Sequence, residues 1–256
     1  MQILKQDTAF LQLLNDTHKH FSGWDFSFIS ATGRMQEELL PWSYGSIIIP
    51  LIRKSSSALD MGTGGGEFLS KLLPFPPLIT ATEGYPPNVP IAKQRLEPLG
   101  VKVVEFGDDH KLPLDSASFD LIINKHDSYS PREVRRIIAD SGIFVTQQVG
   151  GQDCTEINEM LGVPLNEEYN GWCLQSAVDD LENNGFKIEY SNEAYPAQRF
   201  YDIGALVYYL KAIPWQVPNF DIYSYREPLY EIHNRIQTEG FFEVKQHRFI
   251  LMATAL

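Results

Sequence analysis

The sequence predicts an α/β fold in which a mostly parallel sheet carries helices on both faces. Two observations indicate this fold. From residue 56 onward, short runs rich in β-forming residues alternate with helix-like runs, and this alternation is typical of parallel sheets. The first strand-like run is followed at once by Gly62, Gly64, Gly65 and Gly66. Each glycine loses extra backbone entropy on folding, so the cluster indicates a tight turn with a function.

The elements follow one another with recognisable start and stop signals, mostly proline and glycine. Ligands of folds of this kind bind beyond the carboxyl ends of the strands, so those ends are where we look for a site. The predicted strands are 58–61, 78–82, 101–106, 119–123, 142–148 and 185–190, and the predicted helices between them are 67–73, 89–99, 131–139 and 174–183.

Two regions do not fit the alternation. Residues 1–54 precede the first strand and are rich in helix-like patterns, and residues 191–239 separate the sixth strand from a final β pattern over 242–254. We expect both regions to lie over the ligand edge of the sheet. The predicted division is an N-terminal helical cap (1–54), a core (55–190 and 240–256) and an inserted helical lid before the last strand (191–239).

Composition limits the class of protein and its partners. The chain has 256 residues, of which 43% are hydrophobic, and a formal net charge of −12. An acidic chain repels phosphate backbones, so nucleic acid is not an expected partner. Two cysteines are too few for a disulfide framework or a zinc cluster. The first 21 residues have an amphipathic helix pattern and do not resemble a signal peptide. We therefore expect a cytoplasmic protein without a metal site or membrane association.

The glycine turn does not have the pattern of a dinucleotide-binding site. That pattern, G-x-G-x-x-G, requires a glycine at the position of Glu67, where it normally permits close packing of helix and strand. The sequence has instead an acid followed by glycine at every second position, Asp60-x-Gly62-x-Gly64-x-Gly66. A nicotinamide or flavin dinucleotide is therefore not the expected ligand.

Four segments resemble, in order, the motifs of the class I S-adenosylmethionine-dependent methyltransferases. LDMGTGGGEF is similar to the glycine loop of that family, and TATEG is similar to its second strand with a terminal acid. FGDDHKLPLDSASFDLII resembles the stretch GDAxxLPFxDxSFDxV, and EVRRIIADSGIFV resembles ExxRVLKPGGxFV. The resemblance spans about residues 56–150. It implies a Rossmann-like seven-stranded, mostly parallel sheet with an antiparallel last strand, and S-adenosylmethionine as the cofactor.

This cofactor suggests roles for residues at the strand ends. Gly62, Gly64 and Gly66 let the backbone approach the ribose and methionine portions without a clash. Glu83 can accept hydrogen bonds from both ribose hydroxyls, although a solvated loop acid is the alternative. The other candidates for cofactor binding are Asp60, Tyr85, Asp108, Asp109 and Asn124. An exposed loop tyrosine remains an alternative for Tyr85, and a simple turn remains one for Asp108.

The methyl acceptor leaves fewer marks in the sequence. The segment NKHDSY, at 124–129, lacks the [DN]-P-P-[YF] motif that many base- and amide-nitrogen methyltransferases carry there. His126 can act as a general base toward a hydroxyl acceptor, or it is a structural histidine. The candidates for acceptor binding are Gln147 at the end of the fifth strand and three aromatic residues that are otherwise core, Trp42, Tyr44 and Trp215.

The sequence therefore predicts an enzyme that transfers a methyl group from S-adenosylmethionine to a small-molecule acceptor. Two alternatives remain open. One is an RNA methyltransferase, which the acidic charge balance opposes. The other is a non-catalytic protein that binds S-adenosylmethionine, because binding and turnover need different residues.

Overall fold

The structure, a computed structural model, describes residues 7–21 and 25–256. Its strands are β1 (Met35–Glu37), β2 (Ser57–Met61), β3 (Leu78–Glu83), β4 (Lys102–Glu105), β5 (Phe119–Lys125), β6 (Ile138–Val149), β7 (Phe186–Ala194), β8 (Ala197–Phe200), β9 (Phe242–Lys245) and β10 (Arg248–Ala255). Its α-helices are α1 (Thr8–Leu13), α2 (Ser27–Ser30), α3 (Tyr44–Ile52), α4 (Val89–Leu96), α5 (Pro131–Ile137), α6 (Thr155–Leu161), α7 (Leu174–Asn183), α8 (Ile203–Ala212) and α9 (Arg226–Glu239).

Seven strands form one sheet in the order β4-β3-β2-β5-β6-β10-β7. The first five are parallel to one another, and β10 lies antiparallel between β6 and β7. The predicted seven-stranded, mostly parallel sheet with an antiparallel last strand is therefore confirmed. In the register of these strands, Met61 lies opposite Asn124 and Lys125 lies opposite Gln147, so the carboxyl ends of β2, β5 and β6 share one edge.

Helices cover both faces of this sheet. On one face α3 and α4 pack on side chains such as Ala58, and on the other face α5 and α7 pack on side chains such as Leu59. Successive residues of a strand point to opposite faces, and the central parallel strands are largely apolar away from their ends because both of their faces are buried. The sheet and these helices form one compact unit, Pro41–Gly150, Trp172–Ala194 and Arg248–Leu256, which we call the sheet unit.

A second compact unit, here the accessory unit, comprises the described parts of Met1–Leu40, Gly151–Gly171 and Tyr195–His247. It contains the antiparallel sheet β1-β8-β9. Helix α8 is buried except at Lys211, and it packs in one apolar cluster with residues such as Phe10 and Phe242. Asp202 caps α8, because its Oδ1 accepts a hydrogen bond from the backbone N–H of Ala205 at 2.9 Å.

The boundaries of the sheet unit and the accessory unit differ from the boundaries of the predicted cap, core and lid. Residues 44–52 fall in the predicted cap, but they form α3, and Ile48 and Ile52 of this helix pack against the large sheet. The predicted final β pattern consists of β9 in the small sheet and β10 in the large one. Between them, the backbone N–H of Gln246 bonds to the carbonyl of Pro196 at 2.9 Å. The position of cap and lid over the ligand edge stays a prediction.

The helices predicted over 67–73 and at the chain start differ from the structure. The helix predicted over 67–73 is wrong, because only a 3₁₀ turn at Leu69–Lys71 forms there. Seven residues are too few to offset the cost of helix nucleation, and prolines at 74, 76 and 77 cannot continue it. Near the chain start α1 covers Thr8–Leu13 and a 3₁₀ turn follows it, while residues 1–6 of that predicted helix lie outside the described residues.

Candidate functional site

Polar side chains from four neighbouring strands are buried at one edge of the large sheet. Asp60 of β2 is 6% exposed, Glu83 of β3 is 5% exposed, Asn124 of β5 is fully buried and Gln147 of β6 is 3% exposed. A buried polar group is costly unless it finds a partner. Their concentration at the carboxyl ends of parallel strands, where ligands of such sheets bind, makes this edge the candidate site.

The glycine turn after β2 has the backbone conformation that glycine favours. Gly62, Gly64 and Gly66 have φ values of 67°, 62° and 78°, in the left-handed region that other residues rarely adopt. A Cβ atom on Gly62 would lie 2.0 Å from Oδ2 of Asp127, and one on Gly66 would lie 2.7 Å from the side chain of Leu96. The turn therefore needs glycine both for its conformation and for close approach.

Glu83 ends β3 beside this turn. Its Oε1 accepts a hydrogen bond from the backbone N–H of Tyr85 at 2.7 Å. Burial raises the pKa of the carboxyl group, and bonds from the backbone N–H groups of Tyr85, Gly64 and Gly84 oppose that shift. Over residues 7–21 and 25–256, no cation forms an ion pair with Glu83. This carboxylate can therefore accept bonds from a ligand.

Two further carboxyl groups meet at the turn. Burial is the main cause that raises the pKa of Asp60 to about 7, and the charge of Glu83 adds to it while Lys125 opposes it. Burial also raises the pKa of Asp127 to about 7, with further contributions from Asp109 and Glu83. Sequence reasoning considered Asp127 only as a partner of His126 or the start of a turn, and did not place it at the glycine turn, since its contact with Gly62 joins two separate loops. When they are ionised, these carboxyl groups favour a cationic ligand at the turn.

Three of the residues predicted to bind the cofactor, Tyr85, Asp108 and Asp109, are more exposed to solvent than Glu83. Asp108 is exposed, and its Oδ1 accepts a hydrogen bond from the backbone N–H of His110 at 2.9 Å, which lowers the pKa of Asp108. This is the geometry of the simple turn that was the alternative. The carboxylate of Asp109 accepts a bond from the hydroxyl of Ser128, and Tyr85 is 59% exposed.

Asn124 lies in a buried hydrogen-bond network. Its Oδ1 accepts bonds from Thr146 Oγ1 at 2.8 Å and from Gln148 Nε2 at 2.7 Å, and its backbone carbonyl accepts one from the hydroxyl of Tyr44 at 3.0 Å. Its Nδ2 is buried without a hydrogen-bond partner among the described residues. The sequence offered Gln147 and Gln148 as alternatives for binding an acceptor, and it did not predict the network that joins Gln148 and Thr146 to Asn124.

A second chain of contacts joins Trp42, Gln147 and His126. The indole Nε1 of Trp42 lies 2.8 Å from Oε1 of Gln147, and Nε2 of Gln147 lies 2.9 Å from Nε2 of His126. His126 has a φ of 61° and is exposed as a residue. Desolvation of the ring, with the charges of Arg248 and Lys125, lowers the pKa of His126 well below its usual value.

The remaining acceptor candidate belongs to the other unit. Trp215 lies in the accessory unit after α8 and is 42% exposed. Trp42 and Tyr44, by contrast, belong to the sheet unit. The structure thus brings the two aromatic residues near position 43 to the ends of β5 and β6.

Comparison with protein families gives one match. Residues 59–146 match the family model described as a methyltransferase domain. This segment runs from β2 into β6 and contains the glycine turn, Glu83 and His126. A comparison with curated protein sequences finds no significant match.

Solved structures share the fold at low sequence identity. A candidate methyltransferase from Bacillus halodurans is 13% identical with a TM-score of 0.60, over 83% of this chain and 99% of that one. YcgJ from Bacillus subtilis is 14% identical with a TM-score of 0.54, over 82% and 97%. A candidate sarcosine dimethylglycine methyltransferase from Galdieria sulphuraria is 14% identical with a TM-score of 0.51, over 82% of each chain. At these identities the likeness concerns the fold.

A helix that crosses a membrane must be both long and apolar. None of those within residues 7–21 and 25–256 has both the length and the apolar character needed to cross a bilayer.

Proposed function

Because the chain belongs to the class I S-adenosylmethionine-dependent methyltransferases, we propose that it methylates a small-molecule acceptor at the carboxyl edge of the sheet unit. One observation carries this proposal. A glycine turn with three left-handed residues lies beside Glu83, a buried carboxylate at the end of the adjacent strand. The turn admits a ligand close to the backbone, and the carboxylate offers acceptors to its hydroxyl groups.

The residues present fit S-adenosylmethionine. Glu83 has no cation partner in the described chain, and a ribose diol would satisfy its free acceptor capacity. Asn124 Nδ2 is a buried donor without a partner among those residues, which a ligand oxygen would satisfy. Asp60 and Asp127 at the turn would favour the positive charges of the methionine end. When bound, the cofactor supplies an electrophilic methyl group.

The proposed roles of this chain's residues follow from these positions. We assign the ribose to Glu83, the methionine end to Asp60 and the glycine turn, and a polar contact to Asn124. Tyr85, Asp108 and the backbone N–H of Asp109 remain the proposed contacts of the adenine. Their exposure supports this assignment less strongly than burial supports that of Glu83.

The acceptor is proposed to approach His126, Gln147 and Trp42. These groups offer hydrogen bonds and an aromatic wall, and alignment with exclusion of water is the main requirement of methyl transfer. The formal charge of −12 supports a small molecule over RNA as the acceptor. The scarcity of cysteine supports the proposed cytoplasmic location.

Calorimetry and a turnover assay test the proposal. Calorimetry with S-adenosylmethionine, S-adenosylhomocysteine and NAD should show binding of the first two ligands only. Methyl-labelled S-adenosylmethionine is then incubated with the small-molecule fraction and with the RNA fraction of a cell extract. Label should enter the small-molecule fraction. Label in RNA would support the rival acceptor, and binding without any transfer would support a non-catalytic binding protein.

A further inference from the structure

We propose that Gln147 and Trp42 are positioning residues that hold His126 as the neutral tautomer with its proton on Nδ1. In this state the imidazole donates a hydrogen bond to the methyl acceptor and does not remove a proton from it. The inference rests on the proposed function for its acceptor, but the tautomer itself is a property of the protein alone. It replaces the general base that the sequence suggested for His126 with a hydrogen-bond donor.

The orientation of the Gln147 side chain is the first step. The oxygen and nitrogen of a glutamine amide are distinguished only by their hydrogen-bond partners. The indole N–H of Trp42 is a donor and has no acceptor capacity. It lies 2.8 Å from the Gln147 amide, so the atom that it meets must be the oxygen Oε1. The NH₂ group of Gln147 must then point the other way.

The second step concerns the imidazole. The NH₂ group of Gln147 lies 2.9 Å from Nε2 of His126. Because an amide NH₂ only donates, Nε2 must accept with a lone pair. An imidazolium ion, or the tautomer with a proton on Nε2, would place two N–H groups face to face at this distance. The neutral ring therefore carries its proton on Nδ1.

The backbone supports this geometry. The N–H of His126 donates to the carbonyl of Gln147 at 2.8 Å, directly after the pairing of Lys125 with Gln147 across β5 and β6. The two residues are thus fixed to each other by both main chain and side chain. The charges that act on the ring, Lys125 and Arg248, are both positive and also disfavour the imidazolium. Charge and geometry therefore favour the same neutral form.

The third step defines the acceptor chemistry. His126 is exposed as a residue, and in the described chain its Nδ1 makes no hydrogen bond with another residue. A protonated Nδ1 offers a donor to a ligand. The matching acceptor presents a hydrogen-bond-accepting atom, such as a carbonyl, carboxylate or ether oxygen, close to the atom that receives the methyl group. A hydroxyl that needs His126 as its base does not match.

Nitrogen NMR of the imidazole in the free protein tests the tautomer directly. In the wild type we expect protonated Nδ1 and unprotonated Nε2 near neutral pH. In Gln147→Glu a carboxylate faces Nε2 and accepts from it, so the proton should move to Nε2 and the pKa of His126 should rise by about one pH unit or more. The matched control is Gln148→Glu, since Gln148 bonds to Asn124 and not to the imidazole. It should leave the tautomer unchanged.

Trp42→Phe keeps an aromatic ring but removes the N–H that orients the amide. It should give a mixture of both His126 tautomers, whereas a purely structural tryptophan would lower the melting temperature and leave the spectrum alone. A wild-type ring protonated on Nε2, or an unchanged tautomer in both Gln147→Glu and Trp42→Phe, would overturn the proposal. Calorimetry with S-adenosylmethionine on the same samples keeps a failure of the tautomer separate from a failure of the proposed function.

Turnover separates a donor from a base. His126→Asn retains an N–H donor near the position of Nδ1, and asparagine tolerates the left-handed backbone of this residue. With labelled cofactor and the small-molecule extract, Asn should recover most of the activity that His126→Ala loses. If His126 were the base, both variants would lose about 10²–10⁴-fold. Equal losses of that size, or no loss in His126→Ala, would contradict the proposed role.

Discussion

The two units treat partly or fully buried carboxylates in opposite ways. In the accessory unit, Arg34 bonds to Asp202 through Nε at 2.7 Å and to Asp16 through Nη2 at 2.6 Å. At the carboxyl edge of the sheet unit, Asp60 and Glu83 form no ion pair with any described residue. Since an unpaired buried charge is costly, its retention indicates a use other than stability.

This difference indicates where the chain holds a ligand. In the accessory unit, the bonds of Arg34 to Asp202 and Asp16 join the start of α8 to two earlier segments of the chain. These charges stabilise the fold. At the glycine turn, burial raises the pKa values of Asp60 and Asp127, and repulsion from neighbouring carboxylates adds to both shifts. Carboxyl groups with strongly shifted pKa values concentrate at functional sites, because binding or catalysis requires them there even where they lower stability. The predictions below test the two halves of this contrast.

The largest effect is expected from Glu83→Ala on cofactor binding. Each hydrogen bond from a ribose hydroxyl to the carboxylate contributes about 1.5–3 kcal/mol, so S-adenosylmethionine should bind at least about tenfold more weakly. Calorimetry measures the loss, and the melting temperature should change little. Glu105→Ala is the matched control, because Glu105 lies opposite Glu83 in the register but is exposed. Equal affinities for Glu83→Ala and the wild type would remove Glu83 from the site.

The next effect concerns the paired carboxylate of the accessory unit. Asp202→Asn keeps a side chain that can cap α8 but removes the charge that faces Arg34. The free energy of unfolding near neutral pH should fall by about 1.5–3 kcal/mol, the range for hydrogen bonds to charged groups. Denaturant unfolding measures it. Glu243→Gln, which weakens the more exposed pair with Arg199, should lower the free energy of unfolding by less than Asp202→Asn does. Equal losses in both variants would contradict the special role of the Arg34 cluster.

The same chemical change at Asp60 should have the opposite sign. The pKa of Asp60 is about 7 in the folded protein and 3.8 in its ordinary state, so the folded protein holds a proton between these values that the unfolded chain has lost. The stability that Asp60 contributes is therefore present below about pH 4 and is lost as the pH rises toward about 7. Asp60→Asn does not titrate and should be more stable than the wild type by about 1–2 kcal/mol near pH 8.

Thermal unfolding at two pH values checks this prediction. Near pH 4 the variant and the wild type should melt together, and near pH 8 the variant should melt higher by about 2–4 °C for each kcal/mol gained. A lower melting temperature of Asp60→Asn near pH 8 would mean that the ionised carboxylate is stabilised by its surroundings. The contrast between the two units would then fail at this residue.

The sequence predicted the features that depend on neighbours along the chain. The glycine turn, the acid at the end of β3 and the alternation of strands and helices each extend over a few residues, so local conformational preferences determine them. The contact of Asp127 with Gly62 and the network around Gln148 join segments far apart in sequence, and no spacing rule gives them. The sequence of the final β pattern does not indicate that β9 and β10 belong to different sheets, because the alternation of apolar and polar residues has the same period in both strands.

The smallest effect is a pH-dependent preference for S-adenosylmethionine over S-adenosylhomocysteine. The two ligands share the ammonium and carboxylate, but only the first has a positive sulfur. Ionisation of Asp60 and Asp127 between about pH 6 and pH 8 should favour that extra charge. A unit charge about 4 Å away contributes about 1 kcal/mol in water, so the ratio of the two affinities should rise about fivefold over this range. Calorimetry with both ligands at each pH measures the ratio.

Asp127→Asn tests which carboxylates produce this preference. The variant removes one titrating charge next to Gly62 and leaves Asp60 and Glu83 in place, so the rise of the affinity ratio with pH should become smaller. Glu105→Ala serves again as the control and should keep the full rise. A ratio that is constant between about pH 6 and pH 8 in the wild type would mean that the carboxylates do not face the sulfur. Their unpaired state would then serve the ammonium group alone, which both ligands carry, and both affinities should rise together with pH.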